Sequence, residues 1–330
     1  MSEAKLLAKE PTASKSPASK GQRRKVPFKE LIHQRQFKRR AFVASILIPL
    51  LVWFFIFMFL PIVMVVIYSF TNAHMAYPDY KFVGLHQYIK MFTADPILPI
   101  ALRNTVMAVL YIVPTTVILS VLLANGLNAM TSKWQKFYTF VYFLPSVLSA
   151  VAISLVWKWL YHQNYGLINA MLGALGLPAQ GFINSASQAL ICYAVIQIWS
   201  IFGYYAVILL AAIQGIDPSL YEAADIDGAN GMEKFFKITV PLIKQNILFV
   251  CIMATINGFM IFTPIQVLTE GKGTPGTSTM VLMMHIMKRG INNSDIGYAS
   301  AMSLLLMSII LVVSVIQSLL TRERKPKKRS

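Results

Sequence analysis

The chain has 330 residues, of which 56% are hydrophobic and only 13% are charged. Soluble globular proteins carry charged side chains at about a quarter of their positions, so this composition excludes an ordinary soluble domain. The formal net charge of +17 raises the possibility of nucleic-acid binding. However, the basic residues lie beside apolar blocks, where attraction to anionic lipid accounts for them. We therefore expect an all-α protein of the lipid bilayer, with no nucleic-acid partner.

A basic tail, residues 1–40, opens the chain. Its first 25 residues are rich in Lys, Ser, Ala and Pro, a composition typical of disorder. The following stretch, Val26–Arg40, has apolar residues at helical spacing among basic ones, which fits either a helix on the inner membrane surface or a solvated linker. A second basic tail, 321–330, closes the chain. The sequence assigns no function to either tail.

Six apolar stretches between the tails are long enough to cross a membrane, which takes about 20 helical residues. We place these stretches at Ala41–Tyr68, Thr105–Leu127, Phe137–Tyr161, Ala189–Ile213, Ile247–Val267 and Ala299–Leu320. Within these limits the only charged side chain is Lys158, which lies near one end of the third stretch and can extend its ammonium to the headgroups. The sequence thus predicts a transmembrane domain of six helices over 41–320.

Lysine and arginine residues are distributed unequally between the two sides of this predicted domain. The two tails and the loops 128–136 and 214–246 together hold 23 of them, whereas the three opposite loops hold 6. Basic residues collect on the cytoplasmic side of a membrane. Both termini and the 214–246 loop are therefore predicted to be cytoplasmic in a multi-pass protein of the cell membrane.

Two of the opposite loops also contain short predicted elements. The loop after the first span is expected to form a short helix beyond Gly84. The loop 162–188 has no charged residue and predicts an apolar helix over Leu167–Leu175, followed by a turn. A loop of this composition fits packing on the membrane face or against a partner.

The 214–246 loop is far longer than a connector between helices, which needs about 2–8 residues. It holds five of the 13 acidic residues of the chain. Asp217 and Pro218 predict the start of a helix, because a carboxylate can cap it and proline suits the first helical position. Gly228 is the residue type that commonly ends a helix in the left-handed conformation.

A second helix is predicted after this glycine. Asn230 and Glu233 have the spacing of a capping box. The helix is expected to run to Val240 and to be interrupted by Pro241. A long and heavily capped loop of this kind is expected to present a rigid surface to a partner.

The residues inside this loop resemble a known signature. Glu222-Ala223-Ala224 is followed after three residues by Gly228 and after nine more by Ile238-Thr239-Val240-Pro241. This pattern resembles the signature of the permease subunits of binding-protein-dependent ABC importers. The departure from that signature is Val240, which stands where leucine is usual.

Other motifs resemble the sugar-uptake branch of that family, which includes maltose, glycerol-3-phosphate and oligosaccharide permeases. They are Phe82-Val83-Gly84-Leu85 with Tyr88, Asn104-Thr105, Leu144-Pro145, Trp157-Lys158-Trp159 and Gly166-Leu167-Ile168-Asn169. Gln87 stands where asparagine is common in the first of these motifs. The resemblance extends over about Ile46–Leu320 and implies the fold of a type I ABC importer permease.

The resemblance implies partners and roles as well. The partners would be a second permease, expected to form a heterodimer, two ATP-binding subunits and an extracellular solute-binding protein. ATP would be used by the ATPase subunits, so no cofactor is expected in this chain. Glu222 would make the polar contact with the ATPase, Ala223 and Ala224 would permit close helix approach, and Gly228 would set the turn between the two helices. The resemblance leaves open whether the solute is a sugar or another polar compound such as glycerol-3-phosphate.

A solute pathway needs polar groups in the predicted spans. Candidates are Gln197, Ser200 and Tyr204 in the fourth span and Thr255, Asn257, Thr263 and Gln266 in the fifth. The alternative is that these side chains only bond neighbouring helices. Neutral amides and hydroxyls, with Trp199 and Tyr205 nearby in sequence, suit a sugar better than an ion.

The sequence contains no recognisable catalytic set, so we do not expect an enzyme. Gly271–Ser278 lacks the lysine of a phosphate-binding loop, the five histidines show no metal-ligand spacing, and the two cysteines fall inside spans. The remaining rivals are a membrane enzyme and an ion-coupled secondary carrier. A carrier usually has ionisable residues in its spans, where this chain offers only Lys158.

Overall fold

A computed structural model describes residues 28–77 and 79–321. The predicted disorder of the first 25 residues and nearly all of the second tail lie outside the described residues. The α-helices of the described part are α1 Phe28–Phe54, α2 Leu60–Ser69, α3 His86–Thr93, α4 Leu98–Asn128, α5 Ser132–Val147, α6 Ala150–Leu160, α7 Leu167–Ala174, α8 Ala189–Gln214, α9 Pro218–Ile226, α10 Gly231–Lys234, α11 Val240–Leu242, α12 Lys244–Phe259, α13 Thr263–Thr269, α14 Leu282–Met287 and α15 Ile296–Thr321. Shorter turns of π-helix join some of them.

The chain divides into two compact units, one ending at Pro61 and the other beginning at Ile62. In the first unit, α1 starts at Phe28 and continues directly into the apolar residues of the first predicted span. The backbone of the stretch predicted as surface helix or linker is therefore helical from Phe28 onward. None of the residues 42–61 is buried, and an apolar surface of this extent must be covered by lipid or protein.

The second unit is a helical bundle in which α4 packs against both α8 and α12. Helix α8 also packs against α5, and α12 packs against α15. Small side chains such as Ala108, Ala206 and Ala254 are fully buried where these helices meet. Small residues let transmembrane helices approach closely, and this explains why α4 can contact two neighbours along its length.

Five helical segments are long and apolar enough to cross a membrane, and a bent pair of helices supplies a sixth among the described residues. The five are Phe42–Ser69, Leu98–Asn128, Ala189–Gln214, Lys244–Thr269 and Ile296–Leu320. The second of them begins seven residues before the predicted start at Thr105. The prediction of an all-α fold with six apolar spans is confirmed when the bent pair is counted as one span.

The third predicted span, Phe137–Tyr161, is not one straight helix. It consists of α5 and α6, whose axes differ by 98°. The backbone is extended at Leu148 and Ser149, with ψ of 151° and 127°. Pro145 lies in the last turn of α5 and supplies no N–H donor, so the end of this helix is weakly held. The sequence prediction of a continuous span here was wrong.

The fifth span is interrupted next to Pro264. Helix α12 ends at Phe259, and α13 begins at Thr263 with Pro264 in its first turn. Proline is well tolerated there because the first N–H groups of a helix have no partner inside it. The two short helices predicted in the loops are also confirmed, as α3 and α7.

Candidate functional site

Helix α9 opens the segment Asp217–Pro241, which we call the coupling segment. The Asp217 carboxylate accepts a hydrogen bond of 2.9 Å from the backbone N–H of Ser219, and Pro218 is the first helical residue. The hydrogen bond from Ser219 lowers the pKa of Asp217. Gly228 has φ of +75°, the left-handed conformation that follows many helices. The predicted start and end of this helix are confirmed.

The second helix begins with the predicted capping box. The Asn230 side chain accepts from the backbone N–H of Glu233 at 2.9 Å, and the Glu233 carboxylate accepts from the N–H of Asn230 at 3.0 Å. Lys237 donates to the same carboxylate at 2.9 Å. This ion pair, followed by the Asn230 N–H, lowers the pKa of Glu233. The helix is therefore fixed at its first turn.

Pro241 was predicted to interrupt this helix, but the helix continues through it. A π-helical turn occupies Phe235–Thr239, and α11 continues through Pro241 to Leu242. The widened turn lets the N–H of Val240 bond to the carbonyl of Phe235, so the helix is already irregular where the proline enters. The break before the fifth span comes at Ile243 instead.

Side chains join the two helices of the coupling segment to each other. The hydroxyls of Tyr221 and Thr239 are hydrogen-bonded at 2.8 Å, and Lys234 forms an ion pair with Asp225. Tyr221 belongs to α9 and its partner to the π-helical turn. These cross-links make the two helices one rigid body.

Phe235 anchors the coupling segment to the bundle. It is 9% exposed and belongs to a buried cluster with Leu127 at the end of α4, Ile213 at the end of α8 and Ile243 at the start of α12. A movement of the segment must therefore move the ends of these helices. The connection is apolar packing, which resists deformation.

The opposite face of the coupling segment is exposed. Glu222 and Ala223 are exposed, and Ile226 and Met232 expose 89% and 67% of their surface. Glu222 makes no ion pair with another described residue. A free carboxylate among exposed apolar side chains is the composition of a surface that another protein covers.

The two alanines of the signature differ in exposure. Ala224 is buried within this chain, whereas Ala223 is exposed. Of the two, Ala223 is the one that a partner could approach. The last two residues of the signature differ in exposure, since Ile238 is half-buried and Pro241 is exposed.

The candidate pathway residues are less clearly placed. The Asn257 amide donates to the hydroxyl of Tyr205 at 2.8 Å, and the Thr255 hydroxyl accepts from Gln317 at 2.8 Å. Both contacts join α12 to another helix. Such contacts are expected if these side chains only bond neighbouring helices. Ser200 donates to a carbonyl of its own helix.

The other candidates keep polar atoms available. Gln197 and Thr263 are half-buried, and Tyr204 is 43% exposed. Gln266 lines a small cavity of about 160 Å³ together with Lys288 and Asn292. The structure therefore does not gather all the candidates into one site, but it leaves these four able to meet a solute.

Comparison with known proteins identifies the family. Residues 104–326 match the family described as binding-protein-dependent transport system inner membrane component. The chain is 34% identical over 275 residues to the probable ABC transporter permease protein YurN of Bacillus subtilis, covering 82% of this chain and 92% of that protein. This chain belongs to that family of membrane permeases.

Two further relatives have names that state a cargo. The permease is 30% identical to the diacetylchitobiose uptake system permease NgcF of Streptomyces coelicolor, over 94% of this chain and 90% of that one. It is 30% identical to the arabinooligosaccharide permease AraP of Halalkalibacterium halodurans, over 86% and 89% of the two chains. Each name states the cargo of that relative.

A solved structure shares the fold. The permease superposes on a chain of a bacterial ABC transporter that imports alginate, with a TM-score of 0.77 over 89% of this chain and 99% of that chain. The two sequences are 23% identical. The match confirms that the fold is that of an ABC importer permease.

A buried ionic network lies at the end of the bundle opposite the coupling segment, and sequence reasoning did not predict it. The Asp95 carboxylate lies 2.6 Å from His285 Nε2, accepts from the Tyr298 hydroxyl at 2.6 Å and lies 3.7 Å from Arg289. Burial raises the pKa of Asp95, but the bonds from Tyr298, His285 and the N–H of Ile97 together outweigh burial and bring it to about 2. The network fastens the start of α4 to α14 and α15.

Proposed function

We propose that the permease carries a sugar or oligosaccharide across the cell membrane and that partner ATPase subunits drive it through the coupling segment. The observation that carries this proposal is the coupling segment itself. It is capped at both helices, anchored through Phe235 and exposed at Glu222 and Ala223. A rigid body with a free surface is what transmission of force between subunits requires.

The assembly would contain two ATP-binding subunits, a second permease and an extracellular solute-binding protein. Closure of the ATPase pair on ATP would draw two coupling segments together. Because each segment is packed against the ends of α4, α8 and α12, this movement would shift those helices and switch the pathway from inward-facing to outward-facing. ATP stays on the ATPase subunits, and we expect no enzyme activity or cofactor in this chain.

The orientation follows from charge. Basic residues are concentrated in the tails and in the loops on the side of the coupling segment, and this distribution supports a cytoplasmic location of both termini. The coupling segment is then on the side where ATP is available. The binding protein would meet the opposite end.

Sugar as the cargo has its support in the names of the relatives and in the neutral side chains available to a solute. Diacetylchitobiose and arabinooligosaccharides are both carbohydrates. Gln197, Tyr204, Thr263 and Gln266 supply amides and hydroxyls that can exchange hydrogen bonds with sugar hydroxyls. The rival cargo is another polar solute such as glycerol-3-phosphate. The rival class, an ion-coupled carrier, would need no ATPase at all.

Co-purification with the ATPase subunits tests the docking role. Glu222→Lys should leave the permease inserted and paired but remove the ATPase, because it reverses the charge of the exposed carboxylate. Gln245→Lys adds the same charge at an exposed position just beyond the segment and should retain the ATPase. Equal retention of the ATPase by both variants would reject the proposal.

A further inference from the structure

A cleft of about 540 Å³ lies at the end of the bundle far from the coupling segment. It is formed by the first turns of α4, the residues at the start of α8 and the loop around residues 275–278. Arg103 in its wall is 24 residues from Leu127, which packs on the coupling segment; at 1.5 Å per helical residue the two are about 36 Å apart. Its volume is in the range of small-molecule sites, about 300–1,000 Å³.

Hydrogen bonds hold the cleft in shape. The Asn104 amide donates to the carbonyls of Thr277 and Met280, both at 3.0 Å. The Thr105 hydroxyl accepts from the backbone N–H of Leu282 at 2.8 Å. These contacts tie the loop to α4, so the cleft is formed before any ligand arrives, and a preformed site loses less entropy on binding.

The charge of the cleft comes from one residue. Arg103 is the single ionisable side chain with a formal charge among the lining residues. It is exposed and makes no hydrogen bond or ion pair with another described residue. Three of the four acidic residues at this end are already engaged with other cations. These pairs are Asp95 with Arg289, Asp295 with Lys90, and Glu270 with Lys158 and Lys272.

The rest of the lining suits a sugar. Hydroxyls come from Tyr111, Ser187 and Thr277, and apolar surface comes from Met107 and Leu190. Hydroxyl groups can exchange hydrogen bonds with a sugar, and apolar side chains can cover the C–H faces of its ring. The Ser278 hydroxyl, also in the wall, is shielded from solvent without a hydrogen-bond partner in the described part of the chain.

The cleft is in register with the candidate pathway. Arg103, Met107 and Tyr111 recur every four residues and so follow one face of α4. On α8, Leu190 of the cleft is followed at intervals of seven residues by Gln197 and Tyr204, which keeps all three near one face. A solute leaving the cleft along α8 would meet those two side chains.

We propose that this cleft binds the anionic group of an acidic sugar, such as a carboxylate or a sulfonate, where the sugar enters the permease. The Arg103 guanidinium would bind the anion with two parallel hydrogen bonds, which a guanidinium makes better than an ammonium. The hydroxyls around it would hold the sugar ring. This inference rests on the proposed function and narrows its cargo to a class.

Binding to the full-length permease in phosphatidylcholine nanodiscs tests the inference. The probes are trigalacturonate and the neutral trisaccharide galactotriose. Trigalacturonate should bind at least about tenfold more tightly. Arg103→Gln should abolish that preference, Arg103→Lys should retain part of it, and Lys81→Gln, an exposed cation outside the cleft, should retain all of it.

Ser187→Trp provides a second variant that leaves Arg103 in place. Position 187 is exposed in the cleft wall, so a bulky side chain would fill the site without disturbing the core, and binding of trigalacturonate should be lost. Equal binding of the two trisaccharides, or a preference that survives Arg103→Gln, would overturn the inference.

A lipid phosphate could satisfy the same guanidinium, so the second arm uses nanodiscs that contain phosphatidylglycerol. Loss of bound phosphatidylglycerol in Arg103→Gln, with no sugar preference in the wild type, would make Arg103 a headgroup ligand and overturn the inference. No ATPase is present in either arm. A failed sugar-binding test would therefore leave the co-purification result of Glu222→Lys unaffected. A failed co-purification test would likewise leave the sugar-binding result unaffected.

Discussion

At Gly203 the packing of α8 against α5 leaves no room for a side chain. An added Cβ at this residue would lie 1.8 Å from the backbone carbonyl oxygen of Tyr142. An ordinary contact is 3.4 Å or more, so α5 and α8 would have to separate by about 1.6 Å. The obstructing atom belongs to the backbone of α5, so rotation of a side chain cannot relieve the clash.

Gly203→Ala should therefore be strongly destabilising. Overpacking of a core costs typically about 1–3 kcal/mol and occasionally more, and we place this change at about 3 kcal/mol because two helices must move. On the scale for domains of about 150–250 residues, where 1 kcal/mol shifts the midpoint by about 2–4 °C, the unfolding midpoint should fall by about 6–12 °C.

The assay is thermal unfolding in detergent, followed by the monodisperse fraction in size-exclusion chromatography. Gly126→Ala is the matched control, since Gly126 lies in the transmembrane helix α4 with no atom within 4 Å of the added Cβ. Alanine is the better helix former by about 1 kcal/mol, so this variant should be as stable as the wild type or more so. Equal midpoints for Gly203→Ala and the wild type would refute the close approach of α5 and α8.

Three further outcomes follow from the structure. Asp95→Asn should lower the unfolding midpoint at pH 7. The pKa of Asp95 in the folded protein is about 2, below the ordinary 3.8, so its stabilisation is complete above about pH 4. The difference in unfolding midpoint between variant and wild type should therefore disappear as the pH falls from 4 to 2. Gly228→Ala has open space for its Cβ, so it should cost only the penalty of the left-handed conformation, about 1–2 kcal/mol, and should retain the ATPase on co-purification. Gly228→Pro cannot adopt a positive φ and should lose the ATPase. Asn257→Leu should reduce uptake more than Tyr205→Phe, because both changes remove the hydrogen bond between the two side chains but only the first removes the candidate pathway amide. Equal uptake by the two variants would reduce the role of Asn257 to helix pairing.

Much of the fold could be predicted from the sequence because a membrane imposes simple rules. Apolar length gave the spans, and local capping residues gave both helices of the coupling segment. Asp217, Gly228 and Asn230 each act on neighbours within three residues, so their geometry is encoded locally. The predicted spans differ from the structure at the early start of α4 and at the bend between α5 and α6.

What sequence reasoning missed depends on contacts between distant residues. Asp95 and His285 are 190 positions apart, and no pattern within either segment indicates that they meet. The inward orientation of Ala224 depends on how α9 packs on the rest of the chain. The bend after Pro145 was also missed, because a proline in a transmembrane helix is compatible with a kink as well as a break.

ATP-driven uptake is the measurement that tests the central claim most directly. The complete importer would be reconstituted in proteoliposomes with ATP inside, and a labelled oligosaccharide would be supplied outside with its binding protein. We predict uptake that requires both ATP and the binding protein and that disappears with Glu222→Lys but persists with Gln245→Lys. Uptake that needs no ATP and instead follows an imposed ion gradient would contradict the account.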